Sequence, residues 1–205
     1  MLTVGNNTAV VEEMLGNGVL SCPGCGGRLG GHGHAVRRRV FTACRVPVSV
    51  QPRRARCSAC GVTHVLLPAW LLLRRCDSAA VIGEMLARAA RGQGFRGIAA
   101  ASGVPEDTVR GRLRRFRSLA GRVREFFTRL AGALSPDPVP LDPAGSVLAD
   151  AVVAVAAAAA AARGRWPALT VTGWELAAAV TAGSLLSPFV LFASVQGDVV
   201  QSVLA

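Results

Sequence analysis

Two Cys-x-x-Cys pairs constrain this 205-residue chain more than any other feature. Cys22-Pro23-Gly24-Cys25 and Cys57-Ser58-Ala59-Cys60 each set two sulfurs three positions apart. At that spacing a tight turn aims both thiolates at one ion. Glycine frees the backbone to form that turn, and Gly26 follows the first pair and Gly61 the second. Four thiolates close a tetrahedral site with no position left for water, so the expected site is structural rather than catalytic. Zinc is the expected ion, held by Cys22, Cys25, Cys57 and Cys60. Metal binding would then supply much of the folding energy of a small β-module. A redox pair fits less well, because the two pairs match and no thioredoxin-like βαβ pattern accompanies them. An iron–sulfur cluster is the rarer alternative for the same donors.

The remaining cysteines and the histidines are secondary. Cys44 and Cys76 have no partner at ligand spacing and read as small buried hydrophobes. His32 and His34 are further potential ligands or lining residues, and His64, four residues past Cys60, reads as a structural hydrogen-bonding side chain. Residues 1–20 carry Glu12 and Glu13 where a secretory leader would need an apolar run. A reducing cytosol is therefore expected, where such pairs hold metal rather than form disulfides.

Residues 1–20 read as a lead-in with a small helix around Val10 to Leu15, and residues 21–70 as a zinc ribbon. Val46 to Val50 and Thr63 to Leu66 read as strands. From Asp77 the pattern turns helical: Asp77 or Ser78 caps a helix carrying Val81, Ile82, Met85, Leu86 and Ala89, ended by Gly92-Gln93-Gly94. A short helix over Phe95 to Ala101 precedes a turn at Ser102-Gly103-Val104. A long helix then starts near Pro105 or Glu106, with the stripe Val109, Leu113, Phe116, Ala120, Val123 and Phe127. Residues 76–134 thus read as a helix-turn-helix with a long basic helix: Ala99 is small where helices approach, Gly103 makes the turn, and Val104 and Val109 fill the angle. Arg110, Arg114 and Arg115 are expected to face outward toward base edges or phosphates, with Arg112 and Arg117 as backbone contacts. Glu106 and Asp107 suit the helix dipole but would repel phosphates.

Charge supports a polyanion partner. Every basic residue is arginine, and 21 of the 23 lie between Arg28 and Leu130 against five carboxylates. Residues 131–205 are net acidic. Positive charge confined to one stretch is the footprint of nucleic-acid binding. Arg53 and Arg54, just ahead of the second cysteine pair, join the candidate contacts.

Beyond a proline-rich linker at residues 135–145 lies an alanine-rich helical region, residues 146–205. It holds one helix from Val147 to Ala162 and a second from Thr172 or Gly173 to about Leu186. A membrane span needs about 20 strongly apolar residues. Asp150 and Glu175 interrupt these runs, so packing on the long helix or across a homodimer is expected instead of membrane insertion.

The blocks Cys22 to Gly27, Arg53 to Pro68 and Thr108 to Phe116 resemble small bacterial zinc-ribbon plus helix-turn-helix proteins of unassigned role. They are also similar to the N-terminal DNA-binding part of insertion-sequence transposases. The resemblance implies zinc at the four cysteines and DNA binding. It departs at Arg112, where a bulky aromatic is often found.

The expected fold is mainly α with a small N-terminal β zinc ribbon, then a helix-turn-helix and a helical C-terminal region. The expected function is DNA binding by a cytoplasmic, nucleoid-associated regulator or transposition-linked factor. It is expected to need no small-molecule substrate and to perform no catalysis, since the tail carboxylates (Asp137, Asp142, Asp150, Glu175, Asp198) lie in a helical span too short for a transposase catalytic fold. A zinc-ribbon protein-interaction adaptor is the rival.

Overall fold

The structure is a computed structural model and describes residues 1–135, 137 and 140–187, without the Cys44 side chain. Among these residues the chain is mainly helical, with a small N-terminal mixed sheet. Strand β1 (Leu2–Val4) and helix α1 (Thr8–Gly16) open the chain. The strands β2 (Leu29–His34), β3 (Arg38–Phe41), β4 (Pro47–Val50), β5 (Arg53–Cys57) and β6 (Thr63–Pro68) follow. The main sheet has the order β1-β6-β5-β2, with β1 parallel to β6 and the other pairs antiparallel. β3 and β4 form a separate antiparallel pair. The Ala35 amide donates to Pro52 O at 2.8 Å between the two ladders, so β2–β3 and β4–β5 make one long bent hairpin.

Residues 1–20 are therefore part of the sheet unit rather than a lead-in. Val4, Val11, Leu15 and Leu20 bury themselves with Leu29, Ala55, Leu66, Cys22 and Cys57. Side chains alternate along a strand, so the next residue after Leu66 faces the other way: Leu67 packs with Val40 and Leu71. The sheet thus has two small cores, one under α1 and one under the bent end of the hairpin.

The helices share one larger core. Helix α2 (Ala79–Ala90) starts at Ser78, whose hydroxyl accepts from the Val81 amide at 3.3 Å. Helix α3 (Phe95–Ser102) ends at Gly103, which takes the left-handed conformation at φ 65° that glycine adopts without strain. Helix α4 (Glu106–Leu134) buries every residue of the expected stripe, and Leu119, Phe126, Leu130 and Leu134 besides. Helix α5 (Val147–Arg165) packs chiefly along α4, where its alanines permit close approach. By length and composition α5 alone among the described residues could cross a membrane. Helix α6 (Gly173–Val180) begins with a Thr172–Glu175 capping box.

α6 is shorter than expected. It stops at Val180 instead of running to about Leu186, because Ala182 and Gly183 turn left-handed at φ 48° and 73°. The turn is held on the sheet unit by the Leu73 amide, which donates to Gly183 O at 2.8 Å. Pro136, Pro138 and Val139 of the linker, Asp198, and the apolar run beyond residue 187 lie outside the described residues.

Gly83 on α2 is where α6 meets the bundle. A Cβ there would come within 2.0 Å of the Trp174 ring, which itself stands edge-on to Phe116 at 6.4 Å. The expected result of Gly83→Ala is a loss of about 1–3 kcal/mol from overpacking, although alanine is the better helix former. A denaturant midpoint equal to or above that of the parent chain would contradict this packing.

Candidate functional site

The two cysteine turns repeat each other closely. In the first, the Cys22 amide donates to Gly27 O at 2.8 Å and the Gly26 amide to Cys22 O at 2.8 Å. In the second, the Cys57 amide donates to Val62 O at 2.9 Å and the Gly61 amide to Cys57 O at 3.1 Å. Gly26 and Gly61 share φ 73°, a left-handed conformation that glycine adopts without strain. The turns face each other across the end of the β2–β5 ladder, where Leu29 pairs with Cys57.

This brings all four expected ligands together. The sulfurs of Cys22, Cys25, Cys57 and Cys60 lie within 4.8 Å of one another and are positioned to hold a metal ion. Cys22 Sγ is 3.8 Å from Cys60 Sγ, and Cys25 Sγ is 3.5 Å from Cys57 Sγ. A tetrahedral ion with metal–sulfur bonds of about 2.3 Å would space its ligands about 3.8 Å apart. Gly27 leaves room for the cluster, since a Cβ there would sit 2.8 Å from Cys57 Sγ.

Without a cation the quartet divides its protons unevenly. The Cys60 amide, opposed by burial and aided by the Ala59 amide and the neighbouring thiols, lowers the Cys57 thiol to about 6. The Gly24 amide does most to lower Cys22. The Gly27 amide acts the same way on Cys25, but hydrogen bonds to the Cys57 and Cys60 sulfurs and burial together outweigh it, raising that thiol to about 12. Peptide amides thus stabilise thiolates that crowd each other, a conflict a bound cation would relieve.

His64 backs the quartet. Its ring is buried, with Nε2 3.3 Å from Cys22 Sγ and Nδ1 3.0 Å from the Met1 nitrogen. Burial and the nearby N-terminal charge lower its pKa, which favours the neutral ring. With Nδ1 accepting from Met1, the ring proton sits on Nε2 and points at the sulfur. The expected structural hydrogen-bonding role holds, and its partners came from parts of the chain that spacing does not connect. His32 and His34 are exposed on β2. Cys76 is exposed rather than buried, its thiol donating to Asp77 Oδ2 at 3.6 Å. The Cys44 side chain lies outside the described residues.

The α4 arginines separate into two groups. Arg110, Arg114 and Arg117 are exposed, and spacings of four and three put them in one row on the first half of the helix. Arg110 meets Asp107 at 2.6 Å and lies over the Phe95 ring at 5.8 Å. Arg114 and Arg117 have no carboxylate partner among the described residues. Arg115 is half-buried off this row.

Arg112 corrects the expectation of an outward-facing phosphate contact. It is 6% exposed and ion-paired with Asp77, itself 1% exposed, while its other terminal nitrogen rests on Met85 Sδ. Asp77 also takes Arg45 at 2.5 Å. A lone carboxylate among residues 14–83 was the signal for this site, because an acid isolated in an arginine-rich stretch is a natural internal counter-ion. Arg53 bonds Glu12 at 2.6 Å and Gly33 O at 2.8 Å, and Arg54 is half-buried on β5 without a carboxylate partner among the described residues.

Residues 22–100 match a family model described as a domain of unknown function, DUF6431. The match spans both cysteine turns, the hairpin, α2 and most of α3, and ends before α4. No curated protein and no solved structure matches the chain.

Two outcomes are expected. Cys57→Ser should abolish stoichiometric metal in the purified protein, whereas His64→Ala should keep the metal but release it faster to a chelator, both read by atomic absorption. Arg112→Ala should cost about 3–5 kcal/mol by stranding the Asp77 charge. Near-parent stability for that variant in urea would show that the Asp77 contact carries little weight.

Proposed function

We propose that this chain binds duplex DNA, with a zinc-bound ribbon as scaffold and α3–Gly103–α4 as a helix-turn-helix. The observation that carries the reading is the exposed Arg110–Arg114–Arg117 row on the half of α4 nearest the turn. In such a motif the second helix enters the major groove with its first turns against base edges. Arginine's planar fork matches both guanine edges and phosphates. Val104 and Val109 are buried at the angle between the helices, which supports a fixed presentation of that row.

Zinc is the ion this reading assigns to the quartet, because four thiolates suit its tetrahedral preference and leave no open position. When bound it would supply Lewis-acid neutralisation of the thiolates; the residues that hold it are Cys22, Cys25, Cys57 and Cys60. Its role is to fix the two turns, so no reaction is assigned to it. The reading likewise assigns no catalysis to the C-terminal carboxylates. Asp150 is engaged by the Ala144 amide at 2.7 Å and by Arg124 at 3.6 Å, and Glu175 by its capping box. The sequence resemblance to insertion-sequence transposases adds transposition-linked roles to transcriptional regulation in the same proposal; pairing through the apolar C-terminal helices and a nucleoid location belong to it as well.

Glu106 and Asp107 temper the charge at the helix start, since they pair with Arg96 at 3.8 Å and Arg110 at 2.6 Å. They also suit the helix dipole. Phosphate contact is therefore expected from Arg114 and Arg117 foremost.

The test is duplex binding across salt concentrations for the parent chain and for Arg110→Ala/Arg114→Ala. Each lost base contact should cost about 1–3 kcal/mol, and each lost phosphate contact should flatten the salt slope by about 0.9. Equal, weak, sequence-indifferent binding by both proteins would favour the protein-adaptor alternative.

A further inference from the structure

The arginines of α4 differ in how they are held. Arg110 meets Asp107, one turn back on the helix, at 2.6 Å, and its guanidinium lies over the Phe95 ring at 5.8 Å. Phe95 opens α3 and is half-buried, so its ring is a fixed surface against which Arg110 settles. Arg96 lies over the same ring at 5.6 Å and reaches Glu106 at 3.8 Å. Each carboxylate in the first turn of α4 is thus matched to one guanidinium, and both guanidinium groups share one ring. Arg114 and Arg117, further along the same row, are exposed and have neither a carboxylate nor a ring partner among the described residues.

Exposed ion pairs of this kind add little stability. What Asp107 and Phe95 supply is direction. A phosphate accepts a guanidinium from many angles and asks mainly for charge, whereas a base edge needs the fork in one orientation. An arginine already held loses less side-chain freedom on binding. The two carboxylates add a second constraint. They would repel phosphates, so the first turn of α4 suits the floor of the major groove, where base edges offer hydrogen-bond donors as well as acceptors. Guanine alone presents two acceptors there, N7 and O6, to a planar fork.

We propose that Arg110 is the specificity-determining residue of α4 and reads one guanine through N7 and O6, with Asp107 and Phe95 as positioning residues and Arg114 and Arg117 on phosphates. This rests on the DNA-binding reading of α4 and adds to it the base that is read and the side chains that hold the reader. Recognition and charge are then divided along one row: the held arginine chooses the site, and the other two supply affinity.

The experiment selects duplexes from a pool with a randomised centre, using the metal-loaded full chain, and then measures fluorescence anisotropy on the recovered duplex over a salt series. The parent should prefer guanine at one position by about 5- to 150-fold. Most of that preference should vanish when 7-deazaguanine, which lacks the N7 acceptor, replaces the guanine. Arg110→Lys should keep the salt slope and lose most of the preference, because an ammonium is a point charge without a fork. Asp107→Ala should bind random duplex at least as tightly as the parent, a repelling carboxylate having gone. Its guanine preference should nonetheless fall about 2- to 10-fold, through the rotamer freedom that Arg110 regains. Phe95→Leu, which keeps the apolar bulk, should lower the preference in the same direction. Arg114→Ala/Arg117→Ala should flatten the slope by about 1.8 and leave the preference intact. A parent whose salt slope depends on Arg114 and Arg117 but which selects no guanine sensitive to Arg110 and N7 overturns this proposal and leaves the DNA-binding reading standing. So does an Asp107→Ala variant with the parent's guanine preference, or one whose affinity for random duplex falls by the same factor as its preference. Absence of duplex binding by the parent overturns both.

Discussion

Asp77 is a carboxylate with almost no access to water, and its charge is met from two directions by Arg45 and Arg112. Burying a charge is tolerable only when partners replace the lost hydration, so this one residue fixes three segments at once. Arg45 belongs to the tip of the bent hairpin, Asp77 immediately precedes the cap of α2, and Arg112 sits in the first turns of α4. Backbone bonds reinforce the junction: the Phe41 amide donates to Cys76 O at 2.7 Å, and the Ser78 amide to Phe41 O at 3.0 Å. The sheet unit and the helical unit are thereby joined through an ionic knot rather than through a continuous apolar core. Arg45 accepts φ 59° there and stacks on Phe41 at 4.0 Å, a backbone cost that its charge contact offsets.

At the other end of the sheet unit, sulfur replaces hydrocarbon. The core under α1 is small, and two of its members are Cys22 and Cys57. So little buried apolar surface is weak support for a sheet of short strands. Linking the two turns through one ion would lock the β2–β5–β6 register at the point where β5 ends. His64 ties that centre to β1, since its ring bridges Cys22 and Met1. The cysteine quartet, the parallel β1–β6 pairing and the α1 core are thus in direct contact with one another.

What could be read from the sequence was what depends on local spacing. The cysteine turns were legible because sulfur ligation needs two side chains on one tight turn with a glycine after it. The stripe from Val109 to Phe127 was legible because apolar side chains repeat at the helical period. β1 was missed because three residues carry no periodicity, and their pairing partner lies at Leu66 to Pro68. The end of α6 was missed because apolar composition continues through a left-handed turn that only contact with the sheet unit explains. Arg112 stands three residues after Val109 and four before Phe116, on the buried side of the helix, so helical phase and not residue type decides where it points. Its counter-ion lies 35 positions away, beyond any local pattern.

The same phase constraint governs the other arginines of the basic helix. α4 is buried over a wide arc because α5 covers one flank while α2 and α3 cover another. A helix so enclosed can present only a narrow row, and the helical period decides which arginines enter it. Arg110, Arg114 and Arg117 fall in that row; Arg124 continues it but is drawn to Asp150 on α5 at 3.6 Å. The second half of α4 is therefore committed to the C-terminal helices, and the first half, next to the Gly103 turn, is the part left open. Eight arginines along one helix would suggest a uniformly cationic rod. Packing converts it into a short basic edge at one end and a scaffold at the other.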